Sequence, residues 1–325
     1  MEIALPTKGY KTVADLYSYD DKIESEIGLC SLASIVAGRV QHWEYESVAY
    51  YTALMIDNVI ELMEYPFPHL KTTAQARRSI GVGITNLAYA MAKEGVSYAT
   101  EAGKSFIHRR AEEHSYWLHR ASLRLAKEKG VCSWVEKTKY VDGWLPIDTY
   151  NSQVDSVHSE PLRFDWEALR EEVIAVGGLR NSVLEAIMPV ESSSQLTNTT
   201  NSVYPIRNLR VMKTSGNNKN LLIAPEADTL ADKYDIAWDL ETKDMIDLYA
   251  ILQKFTGQGI SADLYIKFED DSRKIPTKKL LTDFLYMTKM GCKSRYYINS
   301  AAGINTKKTE VMEEDSSCGG GGCKL

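Results

Sequence analysis

The chain ends in SSCGGGGCKL, where four glycines separate Cys318 from Cys323. A disulfide between them would close only a small ring and remove little entropy from the unfolded chain, so stapling a fold is a poor use for the pair. Zinc would want more ligands at matched spacing, and the tail offers two sulfurs and no histidine. Thiol–disulfide exchange needs only two sulfurs that can meet, and the glycines let them meet with little backbone strain. About twenty extended residues at ~3.3 Å each give such an arm a reach of roughly 65 Å. That is enough to enter its own protein's active site, or to present a disulfide to an external reductant.

Three other stretches hold residues capable of chemistry. In RYYINS, Tyr296 and Tyr297 are adjacent. Neighbours on a strand ordinarily face opposite ways, which would put one ring inside and one outside. Adjacent phenols can also relay an electron, each losing an electron and a proton together. MPVESSSQLTNTTN, Met188 to Asn201, is a hydroxyl-rich turn directly after the apolar LEAIMP. Its serines can cap a helix, or join free backbone N–H groups at a helix start to cradle a phosphate. Near the beginning, Glu2 in MEIALPT and Cys30 in ESEIGLCSLASIVAG lie among apolar residues. Residue types alone make Cys30 a buried structural thiol and Glu2 a terminal charge. Gly81 and Gly83 suggest a dinucleotide loop, but Asn86 stands where GxGxxG needs its third glycine.

The elements that must position these groups follow from periodicity. A helix is predicted from Glu46 to Glu64, with Val48, Tyr51, Met55, Val59 and Leu62 at helical spacing, stopped by YPFP at Tyr65 to Pro68. A longer one runs from about Thr100 to Lys129, with Ile107, Ala111, His114, Leu118, Ala121 and Leu125 on one face and Gly130 to end it. His114 there reads as a packed core histidine. Between them RRSIGVGI is a short strand, turning helical from about Asn86. DWEALREEVIAVGG is helix and SVLEAIMP strand; DMIDLYAILQKF with ISADLYIKF, and PTKKLLTDFLYMTKMG with SRYYINS, repeat that order. Such alternation implies a parallel sheet covered by helices. After Gly303 the composition turns polar, acidic and glycine-rich, so Ile304 to Leu325 is expected to be a disordered tail.

With 325 residues, 44% hydrophobic and 25% charged, the chain has the make-up of a folded protein with a sizeable core. The net charge of -6 is spread without a Lys/Arg block, which argues against general nucleic-acid binding. The absence of a signal peptide or membrane span predicts a cytoplasmic protein, in the host's cytoplasm for a virus-encoded chain. Five scattered cysteines suit a reducing compartment, with Cys132 and Cys292 expected as small buried hydrophobes.

In order along the chain, EIALPTK, GLCSLA, RRSIGVGITNLAYAMAKEG, LPIDTY, DWEALR, GLRNS, SSSQLTNTTN, RYYINS and the terminal CxxxxCKL resemble the C-terminal half of the large, catalytic subunit of class I ribonucleotide reductase. The resemblance covers essentially the whole chain. It implies an α/β fold: the second half of a ten-stranded α/β barrel over residues 1–303, with a small α/β insertion at roughly Tyr140 to Ile187 and a flexible redox-active tail over 304–325. It also implies roles. Glu2 matches the general base that takes the 3′-hydroxyl proton of a bound ribonucleoside diphosphate, and Cys30 one of the two cysteines that reduce it. Tyr296 and Tyr297 match the radical relay, and Glu191, Ser192 and Ser193 the diphosphate-binding turn, although Val190 stands where a hydroxyl residue is expected. Cys318 and Cys323 match the shuttle recharged by thioredoxin or glutaredoxin.

No metal or cofactor is expected on the chain itself, since in this family a metal-containing small subunit supplies the radical. The N-x-C motif that carries the hydrogen-abstracting cysteine would fall just before Met1. The expectation is therefore a split large subunit, inactive alone, whose N-terminal companion chain carries that cysteine and meets it across a large apolar interface. If Met1 marks a truncation, the reading applies to the intact parent. The alternatives are a non-catalytic assembly or regulatory protein of the same fold, which would have no use for the retained thiols and tyrosines, and an independent dithiol oxidoreductase, disfavoured because no CxxC opens a helix.

Overall fold

The computed structural model describes residues 11–18, 26–215, 218–268, 274–301 and 311–315. In chain order the elements are β1 (Ser31–Val36), α1 (Tyr45–Leu62), α2 (Pro68–Arg77), β2 (Ile80–Thr85), α3 (Leu87–Glu94), α4 (Glu101–Lys129), α5 (Trp166–Val176), α6 (Glu191–Leu196), β3 (Arg210–Ser215), β4 (Asn218–Ile223), α7 (Ala227–Leu230), α8 (Thr242–Gln253), β5 (Leu264–Ile266), α9 (Thr277–Lys289), β6 (Ile298–Ser300) and β7 (Met312–Asp315).

The chain is α/β, and its central feature is an arc of parallel segments. β1 pairs β2 in parallel, Ser31 opposite Ile80 through Val36 opposite Thr85. Val82 bridges Glu185 and Ile187 bridges Ile260, both parallel. The Ile80 and Val82 N–H groups donate to Val183 and Leu184, at 3.0 and 2.9 Å. β5 then pairs β6, with Leu264 opposite Ile298. Among the described residues these segments do not close into a barrel. All six residues of β2 are buried, as a strand with neighbours on both edges and helices over its face requires.

Gly83 has a packing reason rather than a phosphate-binding one: a Cβ there would sit 2.5 Å from the Ala186 carbonyl oxygen on the neighbouring segment. Gly83→Ala therefore forces β2 off the 183–187 segment. It should cost roughly 1–3 kcal/mol, seen as a lower denaturation midpoint at unchanged m-value.

The long helix is as periodicity predicts. Thr100 caps α4 by accepting from the Gly103 N–H (3.1 Å), and Gly130 follows its last residue. Ile107, Ala111, Leu118, Ala121 and Leu125 are all buried. His114 is a satisfied core histidine: its Nε2–H donates to the Val82 carbonyl (3.0 Å) and its Nδ1 accepts from the Tyr45 hydroxyl (2.8 Å).

α1 forms where the spacing predicts, but its buried side is Tyr45, Ala49, Ala53, Ile56 and Ile60; of the residues that set the spacing, Val48 packs partly against the core and Tyr51, Met55, Val59 and Leu62 are exposed. Apolar residues occupy both sides of this helix, so spacing alone cannot choose between them. Residues 140–187 follow the long helix and run into the parallel arc. They hold α5 and short 3-10 turns but no strand of their own, and their last residues, 183–187, belong to the parallel arc. The turns close locally: the Asp148 carboxylate accepts from the Leu145 N–H (2.8 Å) and takes both Arg170 guanidinium nitrogens, at 2.7 and 2.8 Å. Of the tail, only 311–315 is described, and there Met312–Asp315 is strand rather than coil. It pairs in parallel with β3 of the β3–β4 hairpin, Val211 opposite Met312 through Thr214 opposite Asp315.

Candidate functional site

The parallel register sets the height of each candidate residue. Ile187 bridges Ile260, so the start of α6 follows the C-terminal end of the 183–187 segment, while the Tyr296–Tyr297 pair enters β6 level with Ala262 and Asp263, just ahead of β5. Sites in parallel α/β sheets collect at the C-terminal ends, because each strand there hands over to a loop free to vary.

Glu191, Ser192 and Ser193 form the exposed first turn of α6, where backbone N–H groups have no acceptor within the helix. The Glu191 carboxylate is held between Asn201 Nδ2 (2.9 Å) and Lys213 Nζ (2.8 Å), and Asn201 Oδ1 accepts from the Val190 N–H (2.8 Å). Val190, which lacks the expected hydroxyl, leaves the helix without a side-chain cap. A cavity of about 260 Å³ opens beside the turn, lined by Glu191, Ser194, Asn201, Tyr204, Arg207 and Tyr265 among others.

The tyrosines do not split across a strand. They precede the regular pairing of β6, and their ring centroids lie 3.9 Å apart at 47°. The Tyr296 N–H donates to the Ala262 carbonyl (3.0 Å), and the Tyr297 N–H to the Asp263 carboxylate (3.1 Å). Asp263 also accepts from Asn299 Nδ2 (3.1 Å), whose Oδ1 accepts from Arg207 (3.1 Å). A continuous polar chain thus links Tyr297 to the cavity wall. Burial raises the Asp263 carboxyl above its ordinary range, and the bonds from Tyr297 and Asn299 pull it back.

Sequence reasoning missed Arg207, Lys213 and Asp263. The only available hints were the Asn299 of YYINS and an acidic residue inside the apolar ISADLYIKF.

Cys30 is a half-buried thiol, in no disulfide, immediately before β1 and level with Ser79 and Ile80. That is the N-terminal end of the arc, so the described residues do not bring it to the Glu191 turn. Cys132 is buried and Cys292 half-buried, and desolvation pushes their thiols up to about 11 and about 12, as expected of chemically quiet cysteines. Glu2, Cys318 and Cys323 lie outside the described residues. No described helix is long and apolar enough to cross a membrane.

Buried titratable groups give the fold a pH dependence with two opposed arms. Burial pushes Glu185 up to about 8, against Ser115 and Thr256 hydroxyls that favour its charged form. The folded chain therefore keeps a proton that the unfolded chain releases near 4.5, and stability falls as pH rises from there to about 8. Burial pushes His108, His114 and His119 down to about 4, so their contribution is present above 6.5 and lost as pH falls toward 4. The melting temperature of Glu185→Gln should decline less than that of the native chain between about pH 5 and 8, where one fully buried group is worth ~1.4 kcal/mol per pH unit.

A family model described as "Ribonucleotide reductase, barrel domain" matches residues 1–298. The ribonucleoside-diphosphate reductase subunit alpha of Haemophilus influenzae is 38% identical over 331 residues, spanning 100% of this chain and 42% of that protein. The corresponding subunit of reductase 1 from Escherichia coli is 39% identical over 270 residues, covering 82% of this chain and 35% of its own length. That of Enterobacteria phage T4 is 34% identical over 317 residues, covering 95% and 40%. The chain thus spans about 42% of the length of the relatives it matches from end to end.

Proposed function

The chain belongs to the ribonucleotide reductase barrel-domain family, and from that premise we propose that it is the C-terminal component of a ribonucleoside-diphosphate reductase large subunit. The observation that carries this is the contact between the Tyr296 and Tyr297 rings, whose centroids lie 3.9 Å apart. A phenol pair in contact can pass an electron and a proton from one ring to the next, and Tyr297, 44% exposed, is open to a partner that starts the transfer. In this reading a metal-containing small subunit supplies the radical, and the chain's own residues relay it.

The substrate's diphosphate would lie on the N–H groups of Glu191, Ser192 and Ser193, with Arg207 and Lys213 supplying positive charge. Glu2 would take the 3′-hydroxyl proton. Cys30 and a second cysteine would deliver two electrons and become a disulfide as the 2′-hydroxyl leaves as water. The hydrogen-abstracting and second reducing cysteines belong to the part of the family's sequence that this chain does not span, and in this proposal a companion chain supplies them. The exposed stripe Tyr51, Met55, Val59 and Leu62 on α1, with Trp43 79% exposed nearby in sequence, fits an apolar seat for it. The assembled enzyme would act in the cytoplasm.

Cys318 and Cys323 would reduce the active-site disulfide by exchange, then be recharged by thioredoxin or glutaredoxin. β7 holds the chain on β3 up to Asp315, three residues ahead of Cys318 in the sequence. Glu314 lies opposite Lys213, the residue that bonds Glu191, so the arm starts beside the proposed substrate turn.

The test is reconstitution with the companion chain and the small subunit, followed by an assay of deoxynucleotide formation. No product from the full assembly overturns the proposal. In the active assembly, Cys323→Ser should stop turnover driven by thioredoxin, by at least about a hundredfold, yet spare turnover driven by a small dithiol. Equal losses with both reductants would remove the shuttle role.

A further inference from the structure

A second cavity, of about 390 Å³, opens at the opposite, N-terminal end of the parallel arc. It is bounded by Ser182–Glu185, by Thr256–Gln258 ahead of the next segment, and by Lys293 ahead of the tyrosine pair. Nothing in the reductase reading uses it.

Two charged-type side chains on its lining are buried with an atom unsatisfied. Glu185 is 4% exposed and its Oε1 has no hydrogen-bond partner; His119 is 1% exposed and its Nε2 has none. Leaving such groups unpaired costs stability, so they call for a partner that is not part of the chain. Their protonation follows from their surroundings. His119 Nδ1 sits 2.7 Å from the Ser115 carbonyl and must donate to it, which leaves Nε2 as a lone-pair acceptor. Glu185 in its buried, uncharged form carries an O–H. The floor therefore offers one donor and one acceptor, both neutral.

The walls and mouth add two further requirements. Tyr140, Trp144, Leu145 and Pro146 present apolar and aromatic surface. Of the cations at the mouth, Arg77 and Lys137 are both engaged by Glu26. Lys139 and Lys293 form no ion pair among the described residues: Lys139 lies over the Trp144 ring at 5.2 Å, and Lys293 Nζ bonds only the Gly257 carbonyl (2.6 Å).

We propose that this cavity binds a compact, planar organic anion, its uncharged end pairing with Glu185 and His119 and its anionic end with Lys139 and Lys293. A terminal carboxamide has the required acceptor and donor side by side, and an aromatic body fits between Trp144 and the apolar wall. The inference stands apart from the reductase reading, because it uses none of that site's residues.

The probe is 4-carbamoylbenzoate, which joins an amide, a ring and a carboxylate, compared with benzoate and benzamide as its two halves. Binding to the full chain is followed by calorimetry and thermal shift, alone and in assembly with the companion chain. The intact probe should bind at least about tenfold more tightly than either half. Glu185→Met and His119→Leu should each remove the amide's advantage, and Lys139→Ala with Lys293→Ala should remove the carboxylate's.

A merely structural role is distinguished by the ligand-free proteins. Glu185→Met gives up the Ser115 and Thr256 hydroxyls and His119→Leu the bond to the Ser115 carbonyl, but each also removes an unsatisfied buried atom, so the two effects offset and the melting temperature should move little. A clear drop in melting temperature in both would show that the groups serve the fold and would overturn the proposal. So would equal binding of all three compounds, unchanged binding in the variants, no binding at about 10 mM probe, or binding that disappears when the companion chain is seated.

Discussion

Tyr297→Phe should leave the fold unchanged and reduce deoxynucleotide formation by the reconstituted enzyme at least about a thousandfold, equivalent to ~4 kcal/mol of barrier. The substitution deletes only the phenolic oxygen. The ring that meets Tyr296 remains, and the bond to Asp263 is made by the backbone N–H and survives. The side chain is 44% exposed, so no buried polar partner is stranded. What is lost is the O–H whose electron and proton leave together; phenylalanine cannot be oxidised at a comparable potential. Turnover within about tenfold of native would show that the pair is packing and not a relay. Tyr296→Phe should behave alike, and thermal melts of both variants separate the loss from unfolding.

The second large effect is on stability. Asp57→Ala should lower the free energy of unfolding by about 3–5 kcal/mol, read as a shifted denaturant midpoint at unchanged m-value. Asp57 is fully buried on α1 and receives Arg78 Nε at 2.6 Å, Arg180 Nε at 3.3 Å and Asn181 Nδ2 at 3.4 Å. Its backbone carbonyl takes a second Arg78 nitrogen at 2.7 Å. Arg78 is itself buried and held at φ +49°, a backbone conformation that only surrounding contacts sustain. Removing the carboxylate takes from Arg78 Nε and Arg180 Nε their shared buried acceptor. It leaves Arg78 with the exposed Glu61 carboxylate (2.8 Å) and Arg180 with backbone carbonyls, which is worse than never having buried the charges. The network ties α1 to the start of β2 and to the turn before the 183–187 segment, so its failure should loosen the arc. A shift below about 1 kcal/mol would mean that solvent reaches the arginines and stands in for Asp57.

Where local pattern was one-sided, the sequence was legible. α4 lies where one apolar face, a threonine cap and a terminal glycine place it, and α9 begins at Thr277, directly after Pro276. Where pattern was two-sided, it failed. α1 carries apolar residues all round, and the choice of Tyr45, Ala49, Ala53 and Ile56 as its buried side depends on the β-strands and α4 it packs against. The 183–187 segment, read from SVLEAIMP as a strand of a parallel sheet, does take its place in the arc, but which segments flank it was not legible.

Motif order and the tail dithiol, both properties of the linear chain, were enough to place the protein in its family and to mark Tyr296, Tyr297 and the Glu191 turn. The contact between the two rings, the Tyr297–Asp263–Asn299–Arg207 chain and the second cavity came only from tertiary structure. Asn299 and Arg207 are 92 residues apart, and His119 and Glu185 reach one cavity from α4 and the parallel arc. Periodicity reports which side of its own element a residue occupies; which distant side chain it then meets depends on how the elements pack.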